Sequence, residues 1–299
     1  MKPNALTDQV AEYLADTKAN RSSATAEQYR FVLESVWLPW CEKQEITRSA
    51  DMDDKAMGRF TEHLKAKRRK GKPLSVATLR TYIRAVRVYL TAAEVPKGRY
   101  QQPRKPGKRL RDVLSRPEIQ LMEDTATDAR DKLIVRVLAD TGIRVGELLG
   151  LRRDADTLRE DAHNRQYWLR VIGKGDKERD IDIQPALFRR LKYHADHGGP
   201  KDCPYIFCGK RRRANGHVEP LTRSGVDQLI RNLAKNAGIE KRVYPHLFRH
   251  SYITHMLSKG ANLVQLQDQM GHSSLAMISE AYNNMGIKSR YGQLARLLD

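Results

Sequence analysis

The chain has 299 residues, 40% of them apolar, enough for one large core or two moderate ones, and its length favours two domains. Its 55 Lys and Arg against 36 Asp and Glu leave a formal net charge of +19, the balance of a protein that meets a polyanion, most often nucleic acid. No run of about 18 apolar residues occurs, and the opening MKPNALTDQVAEYL holds no apolar signal stretch, so a soluble chain with no membrane partner and no export signal is expected.

Residues 1–95 read as all helix. A first helix near 5–17 carries Leu6, Val10, Tyr13 and Leu14. Thr25 with Gln28 three residues on resembles a capping box. It opens a stripe of Tyr29, Val32, Leu33, Val36 and Trp37, with Pro39 following. A third helix over 53–69 ends in Lys65, Lys67, Arg68, Arg69 and Lys70, before Gly71 and Pro73. A fourth starts near Ser75 with Leu79, Ile83, Val86 and Leu90 inward. Arg80, Arg84 and Arg87 form a second stripe on that helix, suited to lying along DNA. A merely solvated face is the alternative. Residues 96–112, PKGRYQQPRKPGKRLRD, have linker composition. Lys105, Lys108 and Arg109 there are placed to track phosphates.

From 113 the pattern is mixed. Ser115 and Glu118 form an N-cap box with Pro117 early in the helix. A buried helix runs through Leu133, Ile134, Val137 and Leu138, Thr141-Gly142 breaks it, and a new helix begins near Arg144. Residues 167–172 and 179–183 read as strands around the turn GKGDKE, with Ile181 and Ile183 alternating inward. From Pro185 the chain reads as mostly helical, interrupted by a basic loop at 209–216. Cys41, Cys203 and Cys208 are an odd, sparse set that fits a reducing cytosol and not a disulfide framework. Cys203, Cys208 and nearby His217 lack a fourth ligand and a knuckle, so no zinc is expected. Asp180 and Asp182 share a strand face and read as an exposed hairpin edge rather than a two-metal site. The expected fold is mainly α with a small antiparallel β-sheet, as a helical domain over 1–95, a basic linker over 96–112 and an α+β domain over 113–299.

Four segments and one tyrosine carry the chemistry: TGIRVGELLGL (141–151), GKGDKER (173–179), HLFRH (246–250), GHSS (271–274) and Tyr282. Each alone is weak, since an Arg at a helix start and a Gly-Lys-Gly turn are usually structural. In this order and spacing the set resembles the tyrosine recombinase, or phage integrase, family, over essentially the whole chain. The resemblance implies a helical core-binding domain ahead of a catalytic domain. It places the first catalytic arginine on Arg144 with its acidic neighbour Glu147, the hairpin lysine on Lys174, the H-x-x-R pair on His246 and Arg249, the later histidine on His272 and the nucleophile on Tyr282. Two departures stand out. His272 to Tyr282 is one residue longer than the usual spacing, and the common Tyr-x-His reads Tyr282-Asn283-Asn284 here.

The residue types suit the reaction the resemblance implies. Guanidinium forks on Arg144 and Arg249 would neutralise the non-bridging oxygens of a phosphodiester without ever titrating. A phenol with a pKa of about 10 needs a base or a cationic surround; the resemblance gives His246 the proton and His272 a hydrogen bond to the phosphate. Lys174 would protonate the leaving 5′-oxygen. The product would be a 3′-phosphotyrosine, rejoined without ATP, cofactor or metal. Strand exchange needs four active sites, implying a homotetramer on paired duplexes in a nucleoid-associated cytoplasmic setting, with accessory DNA-bending or directionality proteins as further partners. After Tyr282, Tyr291, Leu294, Leu297 and Leu298 at helical spacing would dock on a neighbouring protomer or on their own domain. The competing readings are a type IB topoisomerase and a DNA-binding relative that has lost catalysis.

Overall fold

The structure, a computed structural model, describes residues 5–69, 71–96, 98, 102–104, 112–173, 175–212, 216, 218–271 and 278. The chain divides into two units, residues 1–109 and 110–299.

In the first unit, α1 (Ala5–Asn20), α2 (Ser23–Val32), a π-helical turn (Leu33–Trp37), α3 (Leu38–Lys43), α4 (Asp54–Ala66) and α5 (Val76–Ala92) follow one another. The apolar stripes close one core: Leu6 and Val10 meet Val32, Leu33, Trp37, Phe60, Leu64, Ile83 and Val86. Each such side chain, fully buried, contributes about 1.5–3 kcal/mol. Tyr89 is also buried, and its hydroxyl is satisfied by Ser49 Oγ at 2.6 Å, which donates onward to Gln9 Oε1 at 2.7 Å. Two local expectations are corrected. α2 starts at Ser23 after Ser22, whose hydroxyl meets that of Thr25 at 2.9 Å, so Thr25 lies inside the helix instead of opening it. The unit is also not all helix: β1 (Arg68–Arg69) pairs with β2 (Lys72–Pro73) across Gly71, whose φ of +76° permits the turn.

In the second unit, α6 (Arg116–Thr125) begins with the reciprocal Ser115–Glu118 capping box. Then come α7 (Ala129–Thr141) and α8 (Val145–Leu149), the strands β3 (Leu158–Asp161), β4 (Gln166–Ile172) and β5 (Glu178–Asp182), α9 (Pro185–His197), β6 (Cys208–Arg212), β7 (Val218–Pro220), α10 (Arg223–Asn236), α11 (Pro245–Ser258) and α12 (Leu263–Met270). The sheet is antiparallel in the order β3-β4-β5, with Leu169 opposite Ile181 and Val171 opposite Arg179. Leu169, Val171 and Ile181 bury one sheet face in the core. β3 and the β6–β7 pair were not expected. Both are short, and β6–β7 occupies part of the stretch read as a basic loop. Asp180 lies on the edge strand and pairs with Arg170 and Arg159, as an exposed hairpin edge should.

Candidate active site

The site is built where three chain breaks meet. α7 ends at Thr141, and Gly142 turns the chain with φ +62°. A Cβ on Gly142 would stand 2.7 Å from the buried Tyr252 ring, so both conformation and space demand glycine here. Ile143 is buried, and Arg144 then takes the extended N-cap position of α8. Three residues on, Glu147 folds back. Its Oε2 accepts the Arg144 N–H at 2.8 Å and its Oε1 accepts Arg144 Nη1 at 2.9 Å.

Glu147 is also the anchor for a second arginine. Arg179 on β5 forks onto it, Nη1 to Oε1 at 2.9 Å and Nη2 to Oε2 at 2.8 Å, while its Nε donates to the Gln269 carbonyl at 2.8 Å. Burial pushes the Glu147 carboxyl up, but the hydrogen bonds from Arg179 and Arg144 outweigh it and hold the pKa below the ordinary value. Arg179 was not singled out from the sequence. Its signal was there: it alternates with Ile181 and Ile183, so it sits on the inward face of its strand.

Arg249, on α11, is only 1% exposed. Nη1 donates to the Gly142 carbonyl at 2.9 Å and Nη2 to the Met270 carbonyl at 2.6 Å. Burial first, then the neighbouring Arg144, lowers its pKa to about 10, so it stays protonated at neutral pH. The charges that act on it are Arg144, Arg179 and Glu147. Counting Arg249 itself, three guanidiniums against one carboxylate leave a local excess of two positive charges. A cluster of that sign in a partly buried setting favours an anion.

Two glycines bring further segments to this cluster. A Cβ on Gly271 would lie 3.9 Å from Arg144 Nη1 and from Arg179 Nε. A Cβ on Gly173 would lie 3.4 Å from Arg179 Nη1 and 3.8 Å from Glu147 Oε1. The next residues are His272 and Lys174, which lie outside the described residues, as does Tyr282. Ile278 is buried against Tyr252, Ile253, Leu257, Leu266 and Met270. His246 stands in the first turn of α11 and is exposed, three residues from the buried Arg249.

In the first unit, Arg84 is exposed on α5, with Arg80 and Arg87 half-buried beside it. Arg80 Nη1 donates to the Pro103 carbonyl. Lys105, Lys108 and Arg109 lie outside the described residues. The cysteine reading is corrected: Cys203 and Cys208 form a disulfide, because the turn between them brings their Cα atoms to 6.5 Å. Only Cys41 is a free cysteine among the described residues.

The model of the phage integrase family matches residues 113–286, more than half of the chain. The chain is 35% identical over 155 residues to the tyrosine recombinase XerD of Listeria monocytogenes, covering 51% of this chain and 50% of that protein. It is 32% identical over 212 residues to the tyrosine recombinase XerA of Pyrococcus furiosus, covering 69% of this chain and 70% of that one. The matched stretch thus spans about half the length of XerD proteins such as that of Listeria monocytogenes. In fold it is similar to the XerH site-specific recombinase in a post-cleavage complex with a palindromic difH substrate, at a TM-score of 0.70, 18% identity, and 96% and 83% coverage of the two chains. With a helical unit ahead of an arginine-lined α+β unit, this chain belongs to the phage integrase family, the tyrosine recombinases.

Proposed function

We propose that this chain is a site-specific DNA recombinase that cuts and rejoins double-stranded DNA through a 3′-phosphotyrosine at Tyr282. One observation carries the reading: Arg144, Arg179 and Arg249 gather around Glu147 with an excess of positive charge, beside the glycines that precede Lys174 and His272. A scissile phosphate is the anion that fits. Arg144 and Arg249 hold its non-bridging oxygens and hold them more tightly as charge builds in the pentacovalent transition state. Glu147 and Arg179 are positioning residues: they fix the Arg144 backbone and fork before any substrate arrives.

His246 takes the proton from the Tyr282 hydroxyl, and His272 donates a hydrogen bond to the phosphate. Lys174, on a turn flanked by glycines, protonates the leaving 5′-oxygen. The phosphotyrosine conserves the bond energy, so an attacking 5′-hydroxyl reverses the step without a cofactor. Arg80, Arg84, Arg87, Lys105, Lys108 and Arg109 lie along the duplex backbone. The domains act as 1–95, a basic linker over 96–112, and 113–299. Four copies assemble on two paired sites in the cytoplasm, at the nucleoid, with DNA-bending or directionality proteins as further partners. Among the described residues no helix is long and apolar enough to cross a membrane.

The test is covalent trapping. A duplex is first selected for binding from a random pool, then rebuilt as a nicked suicide substrate and incubated with the protein in EDTA. A denaturation-resistant adduct that disappears in Tyr282→Phe is expected. No adduct on any selected duplex would overturn the reading. Relaxation of supercoils on unselected DNA by a monomer would assign the chain to type IB topoisomerase chemistry instead.

A further inference from the structure

We infer that Cys203 and Cys208 form a reversible thiol–disulfide site, with Cys208 as the sulfur that exchanges with a small anionic thiol or disulfide. The two residues are joined across Pro204, Tyr205, Ile206 and Phe207. That segment is wired to the chain leaving α8. The Arg153 N–H donates to the Pro204 carbonyl at 2.9 Å, the Ile206 N–H donates to the Leu151 carbonyl at 2.8 Å, and Arg152 pairs with Tyr205.

The Arg153 side chain binds this turn from inside. Nε donates to the Tyr205 carbonyl at 3.0 Å, Nη1 to that of Pro200 at 3.2 Å, and Nη2 to that of Gly198. The same Nη2 stands 4.0 Å from Cys208 Sγ. A guanidinium beside a sulfur favours the thiolate, the form that attacks and leaves.

Both cysteines are nearly buried, Cys203 6% and Cys208 3% exposed, and Cys208 is the one at a cavity wall. Cys208 lines a surface cavity of about 760 Å³ with Lys132 and Arg189, beside Arg130 and Lys210, which are paired with Asp131 and, for Lys210, also with Asp128. Lys132 and Arg189 suit an anionic peptide thiol of the glutathione class. Cys203 is not part of the lining. The cavity is separate from the arginine cluster, because α7 runs between them: residues from Ala129 to Leu133 line the cavity, and Thr141 precedes Gly142 at the other end, eight residues or about 12 Å beyond Leu133. Cys41 is a built-in control, buried, with its thiol pushed up by burial to about 12.

The exchange balances. The Cys208 thiolate attacks a small disulfide RSSR and expels one RS⁻, leaving a mixed disulfide. The Cys203 thiolate then attacks the Cys208 sulfur and expels the second RS⁻. Two electrons pass from the cysteine pair to RSSR, and the two thiol protons end on the released RSH molecules. Reduction runs the same steps backwards.

The full chain is equilibrated with reduced and oxidised glutathione at several ratios, quenched in acid and alkylated, and its thiols are counted by mass. Oxidised-rich buffer should leave one thiol, Cys41, and reduced-rich buffer three. A count fixed at one or at three across all ratios would overturn the proposal. Two single variants then locate the exchanging sulfur. Cys203→Ser, which keeps Cys208, should form its glutathione adduct at least about tenfold faster than Cys208→Ser. Equal rates, or the reverse order, would remove the role given to Cys208. Reduction of the wild type should lower its melting temperature by about 5 °C, a shift absent from the double serine variant; an identical shift in that variant would show that the bond does not brace the turn.

Discussion

Two acid–arginine clusters of the second unit share the same chemistry but differ in balance, and we propose only one of them as a site. Glu123 on α6 receives Arg136 from α7, Nε at 2.7 Å, and Arg190 from α9 at 2.8 Å. Arg136 and Arg116 also reach Asp140, at 3.8 and 2.8 Å. Three arginines therefore face two carboxylates, and two of those arginines keep 43% and 42% of their side chains in water. Around Glu147, three arginines face one carboxylate, and Arg249 is buried. Exposed guanidiniums are hydrated and need no further anion; a buried excess of positive charge does. The comparison teaches that an acid–arginine pair does not mark a site. Under the proposed function, the balance of arginines to carboxylates and the depth of burial do.

That contrast can be broken by substitution. The largest effect is expected from Arg144→Lys, which keeps the charge and loses the planar fork: adduct formation on a suicide duplex should fall about 10²–10³-fold. Arg190→Lys should leave the adduct rate unchanged. Equal losses in the two variants would erase the distinction between the clusters.

Stability should separate them next. Glu147→Gln breaks a buried pair and strands Arg179, so urea denaturation should show a loss of about 3–5 kcal/mol. Glu123→Gln, whose partner Arg190 can turn to water, should cost about 1–2 kcal/mol. Gly142→Ala comes between them, at about 2–4 kcal/mol, because it strains φ and drives a methyl into Tyr252. Gly150→Ala, with φ −85° and its nearest neighbour 3.5 Å away, should stay within about 0.5 kcal/mol. A Gly142→Ala variant as stable as Gly150→Ala would show that the Arg249 anchor tolerates movement.

The smallest effect is on pH. The Glu147 pKa is depressed in the fold, so its stabilisation is present above the ordinary value of 4.5 and is lost as pH falls through the folded value. Melting curves between pH 6 and pH 3 should therefore fall more steeply for the wild type than for Glu147→Gln. Parallel curves would mean that Glu147 does not titrate with unfolding.

The sequence by itself determined the elements whose signal is local. Apolar spacing gave α5 and α7, the Ser115–Glu118 pair gave the start of α6, and alternation gave β4 and β5, because a residue's neighbours at i+2, i+3 and i+4 are fixed by backbone geometry alone. It also marked Arg144, Glu147 and Arg249 by motif. Weak short strands escaped, because β6–β7 and β1–β2 are specified by pairing and not by composition. Only the tertiary structure decided that Arg179 reaches Glu147 across 32 positions, that Arg249 grips the Gly142 and Met270 carbonyls, and that Cys203 and Cys208 are joined. Those facts depend on which distant groups are left facing one another once the core has closed, and no local period encodes that.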